Sequence, residues 1–119
     1  MRLYGIKSCA SVKKAKDFFE NNSVEYEFID ISRVKVPRGK IEYWLNFVEP
    51  KALFNTRGKA YRELNLKGSD LNKKINHLWE DNLLIKRPVI EHGLNGEEKL
   101  HVGFNEEEYK NIFCSMQCI

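Results

Sequence analysis

The opening 31 residues constrain the fold most. Arg2-Leu3-Tyr4-Gly5-Ile6 is a short strand pattern that stops at a glycine. Val12, Ala15 and Phe19 follow at helical spacing, with Phe18 beside them, and Asn21-Asn22-Ser23 marks the end of that run. Tyr26-Glu27-Phe28-Ile29-Asp30-Ile31 then begins with the apolar/polar alternation of a half-buried strand. Strand, helix and strand in this span match the roughly 30 residues of a βαβ unit.

The middle of the chain reads as helical. Pro37 suits a first helical position, and Ile41, Trp44, Leu45 and Val48 recur at i, i+3, i+4 and i+7, with Pro50 expected to close the element. A short helix is expected around residues 57–64, before the turn-forming Lys67-Gly68-Ser69. Ser69 or Asp70 can cap a further helix whose apolar face is Leu71, Ile75, Leu78 and Trp79. The end returns to strands. Pro88-Val89-Ile90-Glu91 and Lys99-Leu100-His101-Val102 flank a turn holding Gly93, Asn95 and Gly96, which predicts a hairpin with a longer loop. Asn105 followed by Glu106, Glu107 and Glu108 is a capped helix start, with Tyr109, Ile112 and Phe113 as its buried side. The order is βαβ, a helical insert at about residues 37–82, then ββα. It predicts an α/β (α+β) fold, a thioredoxin-like mixed sheet with an all-helical insertion.

A chain of 119 residues fits one domain, expected to run over residues 1–119 without repeats or linkers. With 42% hydrophobic and 31% charged residues it has a globular composition. Its apolar runs are far shorter than the ~20 residues of a membrane span, so no membrane association is expected. The first residues lack an apolar stretch of signal-peptide length, which predicts an unexported, cytoplasmic chain. Three cysteines, an odd number, argue for reduced thiols over a disulfide framework. A net charge of +3 gives no independent support for binding nucleic acid. Its distribution is uneven, however: residues 1–40 hold nine Lys/Arg against five Asp/Glu. That excess surrounds Cys9 in sequence and is either a solvated face or an anion site.

Cys9 falls between the first strand and the first helix. Free backbone N–H groups and the helix dipole favour a thiolate there, and Lys7, Lys13 and Lys14 add positive charge nearby. Such a cysteine can act as a nucleophile at neutral pH.

The stretch Tyr4-Gly5-Ile6-Lys7-Ser8-Cys9-Ala10-Ser11-Val12-Lys13-Lys14-Ala15 resembles the opening motif of the arsenate reductase-like family. That family includes glutaredoxin-coupled arsenate reductases, Spx-type transcription regulators and YffB-type proteins. Further matches follow in order: Asp30, then Phe54-Asn55-Thr56-Arg57-Gly58 with Tyr61-Arg62-Glu63-Leu64, then Leu84-Ile85-Lys86-Arg87-Pro88-Val89, then Val102-Gly103-Phe104 before Glu107-Glu108-Tyr109. The resemblance spans nearly the whole chain. It implies a cis Arg87-Pro88 bond with Pro88 opposite Cys9, Cys9 as the nucleophile, and Arg57 and Arg87 as the groups that bind an oxyanion or a glutathione carboxylate. Guanidinium forks suit tetrahedral oxyanions and help keep a neighbouring thiol ionised. The third arginine of the arsenate reductases is replaced by Val102, and the Cys-x-x-Cys of the Spx-type regulators is absent because Val12 stands three residues after Cys9. The YffB-like branch departs least.

The resemblance thus implies a bacterial, thiol-dependent reductase with glutathione as co-substrate, glutaredoxin as a further partner, and no bound cofactor. The alternative is a non-enzymatic, Spx-like regulator that docks on the C-terminal domain of the RNA polymerase α chain. A monomer is expected. Cys114 and Cys118, four residues apart, are read as tail thiols, as resolving thiols for Cys9, or as zinc ligands with His92 or His101. Neither spacing is a metal signature, so no metal is assigned. His77 is expected to face solvent.

Overall fold

In the computed structural model, residues 1–64, 66, 69–94 and 96–114 are described, without the side chains of Leu94 and Cys114. Four strands, β1 (Arg2–Gly5), β2 (Glu27–Asp30), β3 (Val89–Leu94) and β4 (Glu97–Val102), form one sheet in the order β2-β1-β3-β4. β1 and β2 run parallel, while β3 is antiparallel to both β1 and β4. Helix α1 (Ala10–Asn21) makes the crossover between the parallel strands. Helices α2 (Arg38–Trp44), α3 (Pro50–Leu53), α4 (Lys59–Glu63) and α5 (Leu71–Glu80) lie between β2 and β3, and α6 (Glu106–Tyr109) follows β4. This is the thioredoxin-like mixed sheet with helical insertion that the element order predicts. Among the described residues no helix is long and apolar enough to cross a membrane.

The strand period of two sorts the core onto two faces. Tyr4 and Val89 point into the cluster built by the insert, with Ile41, Trp44, Leu53, Ile75 and Leu78. Their neighbours Leu3 and Ile90 point the other way, onto Val12, Ala15, Phe19, Tyr109 and Phe113. Glu91 ties the insert to the sheet. Its carboxylate accepts from the Tyr4 hydroxyl at 2.8 Å, the Trp44 indole at 2.8 Å and the Lys40 ammonium at 3.1 Å. Burial opposes its ionisation, but the bonds from Trp44, Tyr4 and Lys40 outweigh that and hold the carboxyl below its usual range. Burial and the bond to Glu91 push the Tyr4 hydroxyl strongly up.

Several local expectations need correction. Pro50 does not close the preceding helix: α2 ends at Trp44, and Pro50 opens α3 at its first turn, where its missing N–H costs nothing. β1 stops at Gly5 as the sequence predicts, but β2 spans only Glu27–Asp30, short of Tyr26 and Ile31. The hairpin connection is shorter than expected, because Gly93 stays in β3 and pairs with Glu98. On α5, Ile75 and Leu78 are buried but Leu71 and Trp79 are exposed; Lys35 covers the Trp79 ring instead of core residues. His77 is half-buried, not solvent-facing. Of the two caps the sequence allows for α5, Asp70 takes the position and accepts from the Lys73 N–H, in line with that expectation. The turn at Lys67 and Gly68, the turn residue Asn95, and Cys118 lie outside the described residues.

Candidate active site

Cys9 is the residue immediately before α1, extended in backbone and half-buried, with its carbonyl accepting the Lys13 N–H at 3.1 Å. Its depth depends on Gly5. A Cβ there would sit 2.5 Å from Val12 Cγ2, so only glycine lets the first turn of α1 close on the end of β1. The strand stop read from the sequence is thus a packing requirement that places the thiol.

The facing wall comes from two antiparallel extended segments. Phe54 and Ile85 form an isolated bridge; the Asn55 N–H donates to Leu84 at 2.7 Å and the Lys86 N–H to Leu53 at 2.8 Å. This stitching sets Arg57 beside Lys86 and Arg87. The Arg87-Pro88 bond is cis, as the resemblance implies, and Pro88 is buried. The Pro88 carbonyl accepts from the Gly103 N–H at 2.7 Å, and the Gly103 carbonyl accepts from the buried Tyr109 hydroxyl, also at 2.7 Å. A chain of backbone and side-chain bonds therefore runs from α6 to the proline peptide.

Between these walls lies a cavity of about 700 Å³. Cys9, Arg57 and Arg87 all line it, as do Ser11, Asn55, Lys86, Val102, Asn105 and Glu108. The three chemistry-bearing residues singled out in sequence thus share one cavity, although they differ in posture. Arg57 is exposed, and among the described residues its side chain has no ion pair or hydrogen bond. Arg87 directs Nη1 to the Leu83 and Ile85 carbonyls at 2.9 and 3.3 Å, and its Nε is buried without a partner. Part of its fork is therefore committed to the wall. Val102 offers the cavity only an apolar surface.

Lys86 and the His101–Glu108 pair are site residues that sequence reasoning did not assign to this cavity. His101 Nε2 lies 2.7 Å from Glu108 Oε2, and its ring stacks edge-on against Tyr109 at 5.1 Å. His92 packs against Phe113, and burial, followed by the charge of His101, lowers its affinity for a proton. Both histidines are thus engaged in packing or pairing, while the Cys114 side chain and Cys118, the other half of a zinc reading, lie outside the described residues.

A thiol before a helix, a cis proline peptide and a cavity lined by cationic side chains on a thioredoxin-like sheet define a class of thiol-bearing folds. The chain belongs to the ArsC family, whose sequence model matches residues 4–112. It is 31% identical over 116 residues to YusI of Bacillus subtilis, an uncharacterised protein, covering 92% of this chain and 95% of that one. It is 30% identical over 114 residues to the global transcriptional regulator Spx 2 of Bacillus anthracis, covering 92% of this chain and 84% of the regulator. Among solved structures it is similar to a protein named YFFB, with a TM-score of 0.79 and 31% identity over 92% of this chain and 96% of that one.

Proposed function

We propose that the protein is a thiol oxidoreductase that uses Cys9 as its single nucleophile, glutathione as co-substrate and glutaredoxin as a further reductant. One observation carries the reading: Cys9 shares its cavity with Arg57, Lys86 and Arg87, while the carboxylate on that wall, Glu108, is engaged by His101. In this reading the Cys9 sulfur attacks, as a thiolate, a sulfur or an oxyanion delivered into that cavity. Arg57 and Arg87 bind the anionic part of the substrate, an oxyanion or a glutathione carboxylate. At about 700 Å³ the cavity lies within the ~300–1,000 Å³ typical of organic-ligand pockets, which favours the tripeptide over a bare oxyanion. No nucleic acid, metal or bound cofactor enters this chemistry.

The test is glutathione-dependent reduction of a small disulfide such as hydroxyethyl disulfide, followed through glutathione reductase and NADPH. Turnover above the uncatalysed rate is expected from the wild type and none from Cys9→Ser. Equal rates from both would remove the enzyme reading. Similarity to Spx regulators over most of the chain supports the second reading, a regulator that docks on the C-terminal domain of the RNA polymerase α chain. Binding of the purified α domain by a protein without turnover would favour it.

A further inference from the structure

Lys86, like Arg57, is a cation of the cavity with no ion pair among the described residues, but only Lys86 lies against the segment that holds the proline peptide. Its backbone is fixed by the bond to Leu53, yet its side chain is exposed and, among the described residues, has no carboxylate partner. The aliphatic stem lies over Gly103: a Cβ on that glycine would stand 3.1 Å from Lys86 Cε and 3.5 Å from Nζ. Gly103 has φ +90°, in the left-handed region, and its N–H holds the Pro88 carbonyl. The absent side chain thus leaves a bed for the lysine directly beside the proline peptide. Arg87, by contrast, is partly turned into the wall by the Leu83 and Ile85 carbonyls.

We propose that Lys86 is a specificity-determining residue whose ammonium binds a carboxylate of an anionic disulfide or thiol as it is presented to Cys9. The inference rests on the reading of Cys9 as a thiol nucleophile and adds the charge class of its substrate. In the step concerned, the Cys9 thiolate attacks one sulfur of oxidised glutathione. The Cys9–glutathionyl bond forms as the original S–S bond breaks, and glutathione leaves as a thiolate that takes a proton from water. An ammonium acts here as a movable point charge, not a rigid fork, which suits a flexible tripeptide better than a tetrahedral oxyanion.

The experiment compares the rates at which Cys9 reacts with oxidised glutathione and with the uncharged hydroxyethyl disulfide, in the wild type, Lys86→Met, Lys86→Arg and Lys86→Glu. Lys86 is exposed, and matched thermal unfolding checks that each variant folds. The anionic-to-neutral rate ratio is expected to fall on the order of tenfold in Lys86→Met. It should fall further in Lys86→Glu, recover in Lys86→Arg, and decline in the wild type as salt is added. A ratio unchanged in Lys86→Met and Lys86→Glu, with Cys9 reactive, would overturn the role of Lys86 alone. A Cys9 unreactive toward both disulfides would overturn the underlying thiol reading and this inference with it.

Discussion

Arsenate reduction coupled to glutathione and glutaredoxin is expected to run roughly 100–1,000-fold slower in the wild type than in Val102→Arg, the effect of restoring one transition-state donor. Val102 lines the Cys9 cavity next to Gly103, on the wall that also carries Lys86 and Arg87. An arginine there would project into open volume, because about 700 Å³ is available. The wild-type wall supplies guanidinium from Arg57 and from the uncommitted part of Arg87, and Val102 adds no donor. Steady-state arsenate consumption by the two proteins, with equal glutathione and glutaredoxin, makes the comparison. Rapid wild-type turnover that Val102→Arg does not improve would show that two arginines suffice.

The second large effect concerns stability. Tyr109→Ala is expected to cost about 3–5 kcal/mol, the range for deleting a large buried aromatic. The ring is fully buried and meets Phe18 at 5.5 Å, Phe19 at 5.6 Å, Phe104 at 4.9 Å and Phe113 at 5.2 Å between centroids. Its hydroxyl also holds the Gly103 carbonyl, so the truncation cuts α6 loose from the site wall. Tyr109→Phe keeps the ring and loses one hydrogen bond, a change of about 1 kcal/mol. Since a domain of this size has roughly 5–15 kcal/mol in hand, Tyr109→Ala leaves a marginal fold. Urea unfolding at neutral pH measures both, and a loss below about 1.5 kcal/mol for Tyr109→Ala would mean the aromatic cluster repacks around the gap.

How far these features are legible in sequence depends on the kind of signal each leaves. The βαβ start is legible because Val12, Ala15 and Phe19 keep a helical period between two alternating runs. Asn105 is legible because a capping side chain and three acids agree, and its side chain does accept from the Glu108 N–H. Pro50 misleads because proline both ends helices and begins them, and only the tertiary context decides. Trp79 misleads because its position on the helical face is apolar, yet the connection between β2 and α2 supplies Lys35 instead of core.

The candidate site divides in the same way. Cys9 is marked by its place between a strand and a helix, and Arg57 and Arg87 by the family resemblance. Lys86 falls inside a matching block, but the resemblance assigns it no role. Its bed is created by a backbone angle at Gly103 and by a bond between segments about thirty residues apart, Leu53 and Lys86, neither of which a local window contains. His101 and Glu108 are seven residues apart, on a strand and a helix, and meet only because the Asn105 cap turns the chain back.

The most direct test of the central claim is the mass spectrum of the wild type after brief exposure to oxidised glutathione, with the adduct mapped by proteolysis. A mixed disulfide is expected on the peptide holding Cys9, formed ahead of any at Cys114 or Cys118 and weakened in Arg57→Ala and Arg87→Ala. Labelling confined to Cys114 or Cys118, with Cys9 left free, would contradict it.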